Sequence, residues 1–378
     1  MPFEEAASEL QATLGVQVSD STVRRLTLQA GSITEQIQTE QAQAQRSPSC
    51  FPLPKQEPAE RLAMSSDGGL VPLRGGVWAE VKTLVIGEVL APTNETTTAR
   101  TTAHSYFSRL TDAATFADLA SVEIERRGVE RARAVCAVQD GADWLQGFID
   151  LHRPDALRIL DFPHAAQRLG AIADLVAQAG QPLPAEWVYQ QCHRLKHEGP
   201  GGVLETLRAL PCPGKAAEAL HEHRLYLEKR VALMAYPTYR QQGWPIGSGS
   251  VESANKHVMQ ARLKGSGMRW ERAHVNPLLA LRTAVCNERW DESWQTVRKA
   301  VGRQRMQRRQ QRASTRLVQL VARLLVLGVR FLPEVPAPSL SPRLPPSPPA
   351  TLPGSCRPSA HHPWKRAILS PAKRRAKL

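Results

Sequence analysis

The chain has 378 residues, enough for two or three domains, and its net charge of +14 favours a polyanionic partner, nucleic acid before an anionic membrane surface. Its six cysteines lie far apart with no CxxC pair, which argues against a zinc ribbon or a disulfide scaffold. No apolar run reaches the ~20 residues that a membrane-spanning helix needs, so we expect a cytoplasmic protein without a membrane partner.

The first 46 residues are predicted to be helical. A short helix is followed by a second one that carries Arg24 and Arg25 and stops before Gly31. This outline resembles a helix-turn-helix, in which Arg24 and Arg25 would contact DNA. The apolar spacing matches that motif only loosely and favours an ordinary helical hairpin. Residues 47–59 then read as a linker.

Strand and helix patterns alternate through residues 60–180. Residues 61–67 and 79–90 predict two strands, with a turn at Gly68 and Gly69 after the first, and the second strand is apolar on both faces, as in the centre of a sheet. Residues 131–140 and 156–162 predict two more strands with a helix between them, which implies a parallel pair. This region therefore predicts an α/β core.

The rest of the chain is predicted to be helical, then unstructured. Its four regions are an all-α insertion, the closing helices of the core, a basic helix and a Pro-rich basic tail, at 181–244, 245–295, 296–332 and 333–378. Trp290 and Trp294 are expected to close the core. Residues 296–378 hold 18 Lys or Arg and one acid, so their charge is +17 and that of the remainder is −3. The basic helix is therefore either solvated or bound to DNA.

Three acidic residues are candidates for a catalytic site. Asp67 and Asp140 are each expected to end a strand, and each precedes glycine, a pattern that an ordinary Asp-Gly turn would also give. Glu252 follows the Gly/Ser-rich stretch 245–250 at a predicted helix start, where a helix cap or a phosphate site are alternatives. Carboxylates of this kind suit Mg²⁺ or Mn²⁺ in a two-metal phosphodiester site.

Four segments together carry a family resemblance: SDGGLVPLRGGVWAEVKTLVIGEV (66–89), QDGADWLQGF (139–148), LDFPHAAQRL (160–169) and IGSGSVESANKHVMQARLKGSGMRW (246–270). They resemble the ISKra-type bacterial insertion-sequence transposases, relatives of the Mutator-like DDE group. The resemblance implies a ribonuclease-H-like mixed sheet with helices, in which strands one to three are antiparallel and strand four lies beside strand one. It also implies an all-α insertion before the last catalytic helix.

Roles for individual residues follow from the same resemblance. Asp67, Asp140 and Glu252 match the first, second and third catalytic acids, which hold the metal. Asp161 and His164 match a signature of Cys or Asp, two residues, then His, and are supporting residues, although a helix histidine is more often packed or capping. The implied activity is metal-dependent cleavage and strand transfer of DNA, at element ends and target, by a homo-oligomer.

Two other functions stay open. The chain starts close to its helix-turn-helix-like part, which fits a truncated or decayed copy that only binds DNA. A structural RNA- or DNA-binding module is the other possibility, and it predicts that the three carboxylates lie apart.

Basic residues near the third acid are predicted to contact DNA. Lys256 lies four residues after Glu252, on the same helix face. The loop at 262–270 alternates bases and glycines, which suits phosphate contacts, and a base or sugar can stack on its tryptophan; these residues are Arg262, Lys264, Arg269 and Trp270. The alternative is a surface turn with a packed tryptophan.

Overall fold

A computed structural model describes residues 2–45, 59–90, 99–211 and 216–326 of the chain. The predicted linker, apart from residue 59, and the predicted Pro-rich tail lie outside these residues. The described chain is a mixed α/β structure around a five-stranded sheet with the order β3-β2-β1-β4-β5. This architecture is compatible with a ribonuclease-H-like α/β fold. None of the described helices is long and apolar enough to span a lipid bilayer.

The sheet has the predicted arrangement of its first four strands. Its strands are β1 (Arg61–Pro72), β2 (Trp78–Leu90), β3 (Arg100–Arg109), β4 (Ala134–Gln139) and β5 (Leu157–Leu160). The first three strands are antiparallel neighbours, while β4 pairs in parallel with both β1 and β5. The parallel pair predicted from the strand-helix-strand pattern is therefore confirmed.

Helices precede, separate and follow the strands along the chain. They are α1 (Phe3–Leu14), α2 (Asp20–Gln45), α3 (Ala113–Arg126), α4 (Asp143–His152), α5 (Phe162–Gln178), α6 (Trp187–His197), α7 (Gly201–Ala209), α8 (Ala216–Lys229), α9 (Tyr236–Gln241), α10 (Gly249–Ala254), α11 (Ala261–Leu263), α12 (Arg272–Cys286) and α13 (Trp290–Val326). A π-helical segment, Asn255–Gln260, joins α10 to α11. The described residues up to Arg312 form one compact unit, and residue 313 begins a second.

The two faces of the sheet pack against different helices. On one face, Leu62 and Met64 of β1 lie in a core cluster with the buried phenylalanines of α3 and α4. On the other face, Ala63 belongs to a cluster with α5 and the helices of the insertion, whereas Val71 packs with residues of the π-helical segment and α12. Because side chains alternate along a strand, Asp67 lies on this second face, between these two clusters.

The turn predicted at Gly68 and Gly69 is wrong, because β1 continues through both residues. A Cβ atom at residue 68 would lie 2.1 Å from Oε1 of Glu80, and one at residue 69 would lie 2.3 Å from Cε of Met259. The two glycines therefore allow close approach on both faces of the strand rather than a change of chain direction. Asp67 consequently lies within β1 and does not end it.

The helix end predicted before Gly31 is also wrong, because α2 is one continuous helix. A Cβ at Gly31 would lie 2.3 Å from the carbonyl oxygen of Pro277 on α12, so glycine permits two helices to cross at short range. α1 and α2 contact each other, and buried residues of α2 include Ile33 and Ala42.

Trp290 and Trp294 do not close the core, contrary to the prediction. Each is 41% exposed, and the two rings stack on each other with centroids 5.7 Å apart and planes 10° apart. Both lie in the first turns of α13, and each ring covers part of the apolar surface of the other. The predicted basic helix is confirmed as helical from Trp290 to Val326.

Candidate active site

Asp67 and Asp140 are aligned on adjacent parallel strands. β1 and β4 pair with a constant offset, Met64 opposite Ala137, which is 137 − 64 = 73 residues. Continued to the end of β4, this offset sets Asp67 level with Asp140, since 67 + 73 = 140. Neighbouring strands lie about 4.8 Å apart, and alternation places both side chains on the same face. Asp140 follows the last residue of β4, as predicted.

Asp67 is a half-buried carboxylate held from both sides. Its Oδ1 accepts a hydrogen bond from Gly68 N (2.7 Å), and its Oδ2 accepts one from Asn255 Nδ2 (2.9 Å). Burial raises the pKa of Asp67, opposed by the Gly68 amide, and the negative charge of Asp140 raises it further while His164 lowers it. The net shift is upward because two carboxylates share a partly dehydrated site.

Asp161 and His164 form a hydrogen-bonded pair beside these two acids. Asp161 is fully buried, and its Oδ1 accepts a hydrogen bond of 2.6 Å from Ser248 N. Its Oδ2 accepts one of 2.5 Å from His164 Nδ1. This bond raises the pKa of His164 against the effect of burial, and the charges of Asp161, Asp140 and Asp67 raise it further. The His164 ring therefore lies close to both aspartates.

Glu252 is not gathered into this cluster. It is exposed on α10, three residues before Asn255, whose amide contacts Asp67. Residues three apart share one side of a helix, so Glu252 lies one turn from the Asp67 contact. In the described parts of the chain, no group of three His, Cys, Asp or Glu side chains could hold a metal ion. The structure thus brings together Asp67, Asp140, Asp161 and His164, and leaves Glu252 at their edge.

The insertion contributes two residues that sequence reasoning missed. The hydroxyl of Tyr226 donates a hydrogen bond to the carbonyl oxygen of Asp140. Arg230 donates to the next carbonyl, that of Gly141, through Nε (3.1 Å) and Nη2 (2.5 Å). The two residues are four positions apart, so they lie on the same side of α8, at its C-terminal end. This spacing was the signal in the sequence that could have identified them. Gly141 has φ of 81°, and a Cβ there would lie 2.4 Å from Nε of Arg230, so the loop requires glycine.

Residues predicted to contact DNA fall into two groups. Arg24, Arg262, Arg269 and Trp270 line one pocket together, with Arg74 from the turn between β1 and β2. Lys256, Lys264 and Arg25 are exposed but do not line this pocket.

Trp270 cannot serve as a stacking platform, which corrects the prediction for this residue. Its side chain is 8% exposed, and its indole N–H donates to the carbonyl oxygen of Leu263 (3.0 Å). The packed tryptophan, the alternative to a stacking role, is therefore what the structure shows. The exposed tryptophan of this region is Trp78, 56% exposed, with Lys264 Nζ 5.8 Å from its ring centroid.

Comparison with known proteins assigns no family to the chain. The chain matches no protein-family model and no curated protein sequence.

Proposed function

We propose that the chain is a DDE-type transposase with a ribonuclease-H-like core, a cytoplasmic enzyme that cuts DNA at the ends of an insertion sequence and joins it to a target. The observation that carries this proposal is the alignment of Asp67 and Asp140 on adjacent parallel strands, facing the helix of Glu252 and Asn255. The neighbouring of β1 to β3 as antiparallel strands, with β4 beside β1, is the arrangement that the family resemblance implies for the first four strands. Two neighbouring carboxylates on a rigid sheet suit phosphodiester chemistry.

The oxygen donors present fit a hard divalent cation, Mg²⁺ or Mn²⁺. Asp67 and Asp140 supply two carboxylates, and the buried Oδ1 of Asn255 has no hydrogen-bond partner among the described residues. Carboxylate and amide oxygens are the ligands that such cations prefer. Glu252, one turn earlier on the same helix, is the third carboxylate of the proposed set. When bound, the ions activate the attacking oxygen and stabilise the leaving oxygen.

The chain's own residues prepare the site for a charged substrate. Burial, together with repulsion from Asp140, raises the pKa of Asp67, and a cation held by both carboxylates would relieve this repulsion. His164, held by Asp161 and with a raised pKa, can donate a hydrogen bond to a phosphate oxygen. Tyr226 and Arg230 fix the loop that carries Asp140. Each of these roles positions a group before DNA arrives.

The decisive experiment measures cleavage and strand transfer on duplex DNA that carries the inverted repeats flanking the coding sequence. Asp67→Asn, Asp140→Asn and Glu252→Gln should each lower activity by at least about 100-fold, the scale of losing an essential electrostatic group. DNA affinity should be largely retained. Asp174→Asn is the matched control, because this carboxylate is exposed in the last turns of α5. Normal activity in any of the first three variants would refute the assignment.

A DNA-binding protein without catalysis is the second candidate. It is favoured by one observation, that the described residues hold no group of three metal-ligating side chains. Mn²⁺ separates the two candidates, because a ligand that binds only the folded state raises its melting temperature. The transposase predicts a rise in wild type that Asp67→Asn removes, whereas the second candidate predicts no rise. Pairing of two element ends by two copies further predicts a homo-oligomer on end DNA.

A further inference from the structure

We propose that the four-arginine pocket at the turn between β1 and β2 binds a backbone phosphate of the same DNA duplex that Asp67 and Asp140 cut. This inference rests on the proposed function and adds to it a second DNA contact with a defined position. The pocket has a volume of about 300 Å³ and is lined by Arg24, Arg74, Arg262 and Arg269, with Phe3 and Trp270 as apolar walls.

The charge of the pocket is nearly uncompensated. Of its four guanidinium groups, only that of Arg74 makes an ion pair with an acid in the described residues, with Glu271 at 2.8 Å. Arg24 instead contacts Nδ1 of His274, at 3.5 Å. Guanidinium groups present several N–H donors in a planar fork that matches phosphate oxygens. A site with this much positive charge and this many N–H donors favours an anion that has several oxygens.

Aromatic rings hold one of the arginines in place before any ligand binds. The guanidinium carbon of Arg262 lies 4.5 Å from the ring centroid of Phe3 and 5.2 Å from that of Trp270. Contact with two ring faces fixes the planar group without using its N–H donors. Because these donors are preorganised, less conformational entropy is lost when a phosphate binds. The arrangement therefore favours a built site over a chance collection of surface charges.

Two elements give the distance from the pocket to the aspartates. Along β1, Pro72 lies 72 − 67 = 5 residues beyond Asp67, a distance of roughly 17 Å at 3.3 Å per residue. Pro72 is at the pocket, since its carbonyl accepts a hydrogen bond from Trp270 N (3.1 Å). Along the helix from Asn255 to Arg262, 262 − 255 = 7 residues span roughly 10 Å. The pocket thus lies about 10 to 17 Å from the candidate active site.

This distance selects duplex DNA over a small anion as the ligand. Successive phosphates of one DNA strand advance about 3.4 Å along the helix axis and also turn around it, so the pocket corresponds to a phosphate at most about three to five nucleotides from the one being cut. Exposed Lys256 directly follows Asn255, and exposed Lys264 lies two residues after Arg262. A free phosphate or an acidic peptide would bind in the pocket without depending on its distance from the aspartates.

The test measures binding of an end-bearing duplex by fluorescence anisotropy in EDTA, between 50 and 200 mM salt. The double variant Arg24→Ala/Arg269→Ala should bind more weakly and lower the slope of log K against log salt by about 1, the value for one phosphate contact. Arg269→Lys in the otherwise wild-type chain should retain most of the slope, because it keeps the charge. Arg133→Ala, at the opposite end of β4 from Asp140 and paired with Glu60, is the control and should change nothing.

Methylphosphonate substitution locates the contact. Making one phosphate neutral, within about five nucleotides of the cut, should abolish the difference between wild type and the double variant. An unchanged salt slope in the double variant, with melting temperature retained, would overturn the inference and leave DNA cleavage untouched. Loss of the difference at a distant phosphate, or equal competition by polyglutamate, would also overturn it. A reduced slope in a protein that does not cleave DNA would support the pocket and refute only the transposase.

Discussion

Replacing Asp161 by alanine tests whether one buried carboxylate joins two parts of the site. The side chain is 0% exposed and accepts hydrogen bonds from Ser248 N and His164 Nδ1, at 2.6 and 2.5 Å. A hydrogen bond to a charged group contributes about 1.5 to 3 kcal/mol, so two contribute about 3 to 6 kcal/mol. The change also removes the cost of burying the carboxylate. We expect the free energy of unfolding to fall by about 2 to 4 kcal/mol.

Urea unfolding followed by circular dichroism measures this loss. Asp161→Asn is the matched control, because its amide oxygen still accepts the Ser248 N–H and its volume is nearly the same. It should lose only about 1 kcal/mol, the value of exchanging a charged for a neutral acceptor. A loss of less than about 1 kcal/mol in Asp161→Ala would refute the reasoning, since a buried amide left without a partner costs at least that much.

The same pair gives stability a dependence on pH. The hydrogen bond from Asp161 raises the pKa of His164 above its ordinary value of 6.5, so folding favours the protonated ring. This contribution is full below pH 6.5 and is lost as the pH rises through the raised pKa. Because the ring is 36% exposed, solvent screens part of the effect. In Asp161→Asn the His164 NMR signal should titrate at lower pH; an unchanged titration would contradict the pairing.

Four further substitutions have expected outcomes. Asp67→Asn should raise the melting temperature of the metal-free protein by about 1 to 3 °C, because burial raises the pKa of Asp67 and makes its ionised form unfavourable. This gain should be absent below the ordinary pKa of 3.8, grow as the pH rises from there to the raised pKa of the folded state, and stay constant above it; a gain independent of pH would contradict it. Gly31→Ala should cost about 2 to 4 kcal/mol in urea unfolding through overlap with α12, whereas Gly170→Ala on α5, which meets open space, should gain about 0.5 to 1 kcal/mol. Equal effects of the two glycine substitutions would exclude the close crossing of α2 and α12. Arg230→Met should cost about 1 to 3 kcal/mol and speed hydrogen exchange in the loop after β4, and unchanged exchange would exclude a clamp.

Local sequence patterns predicted much of the sheet but not the spacing of its acids. The parallel pair of β4 and β5 and the position of Asp140 directly after β4 follow from apolar runs and a helix between them. The alignment of Asp67 with Asp140 depends on pairing across 73 residues, which no local pattern specifies. The family resemblance is what identified Asp67 and Asp140 as a pair.

Glycine was the main source of error. Gly68, Gly69 and Gly31 were interpreted as turns or helix ends, whereas each allows another chain segment to approach closely. A glycine that supplies a positive φ and one that supplies space look alike in sequence, because the contact partner is distant in the chain. Tyr226 and Arg230 were missed for a similar reason, since their targets are backbone carbonyls.

The hydrogen bond between Asn255 and Asp67 has a consequence for the timing of synthesis. The two residues are 188 positions apart in the chain. At about 5 to 20 residues per second, a ribosome makes the asparagine roughly 10 to 40 s after the aspartate. A nascent or prematurely ended chain that stops before α10 therefore has both strand aspartates and no helix to cover them. In the proposed transposase, cleavage would therefore begin only when translation of the core is nearly complete.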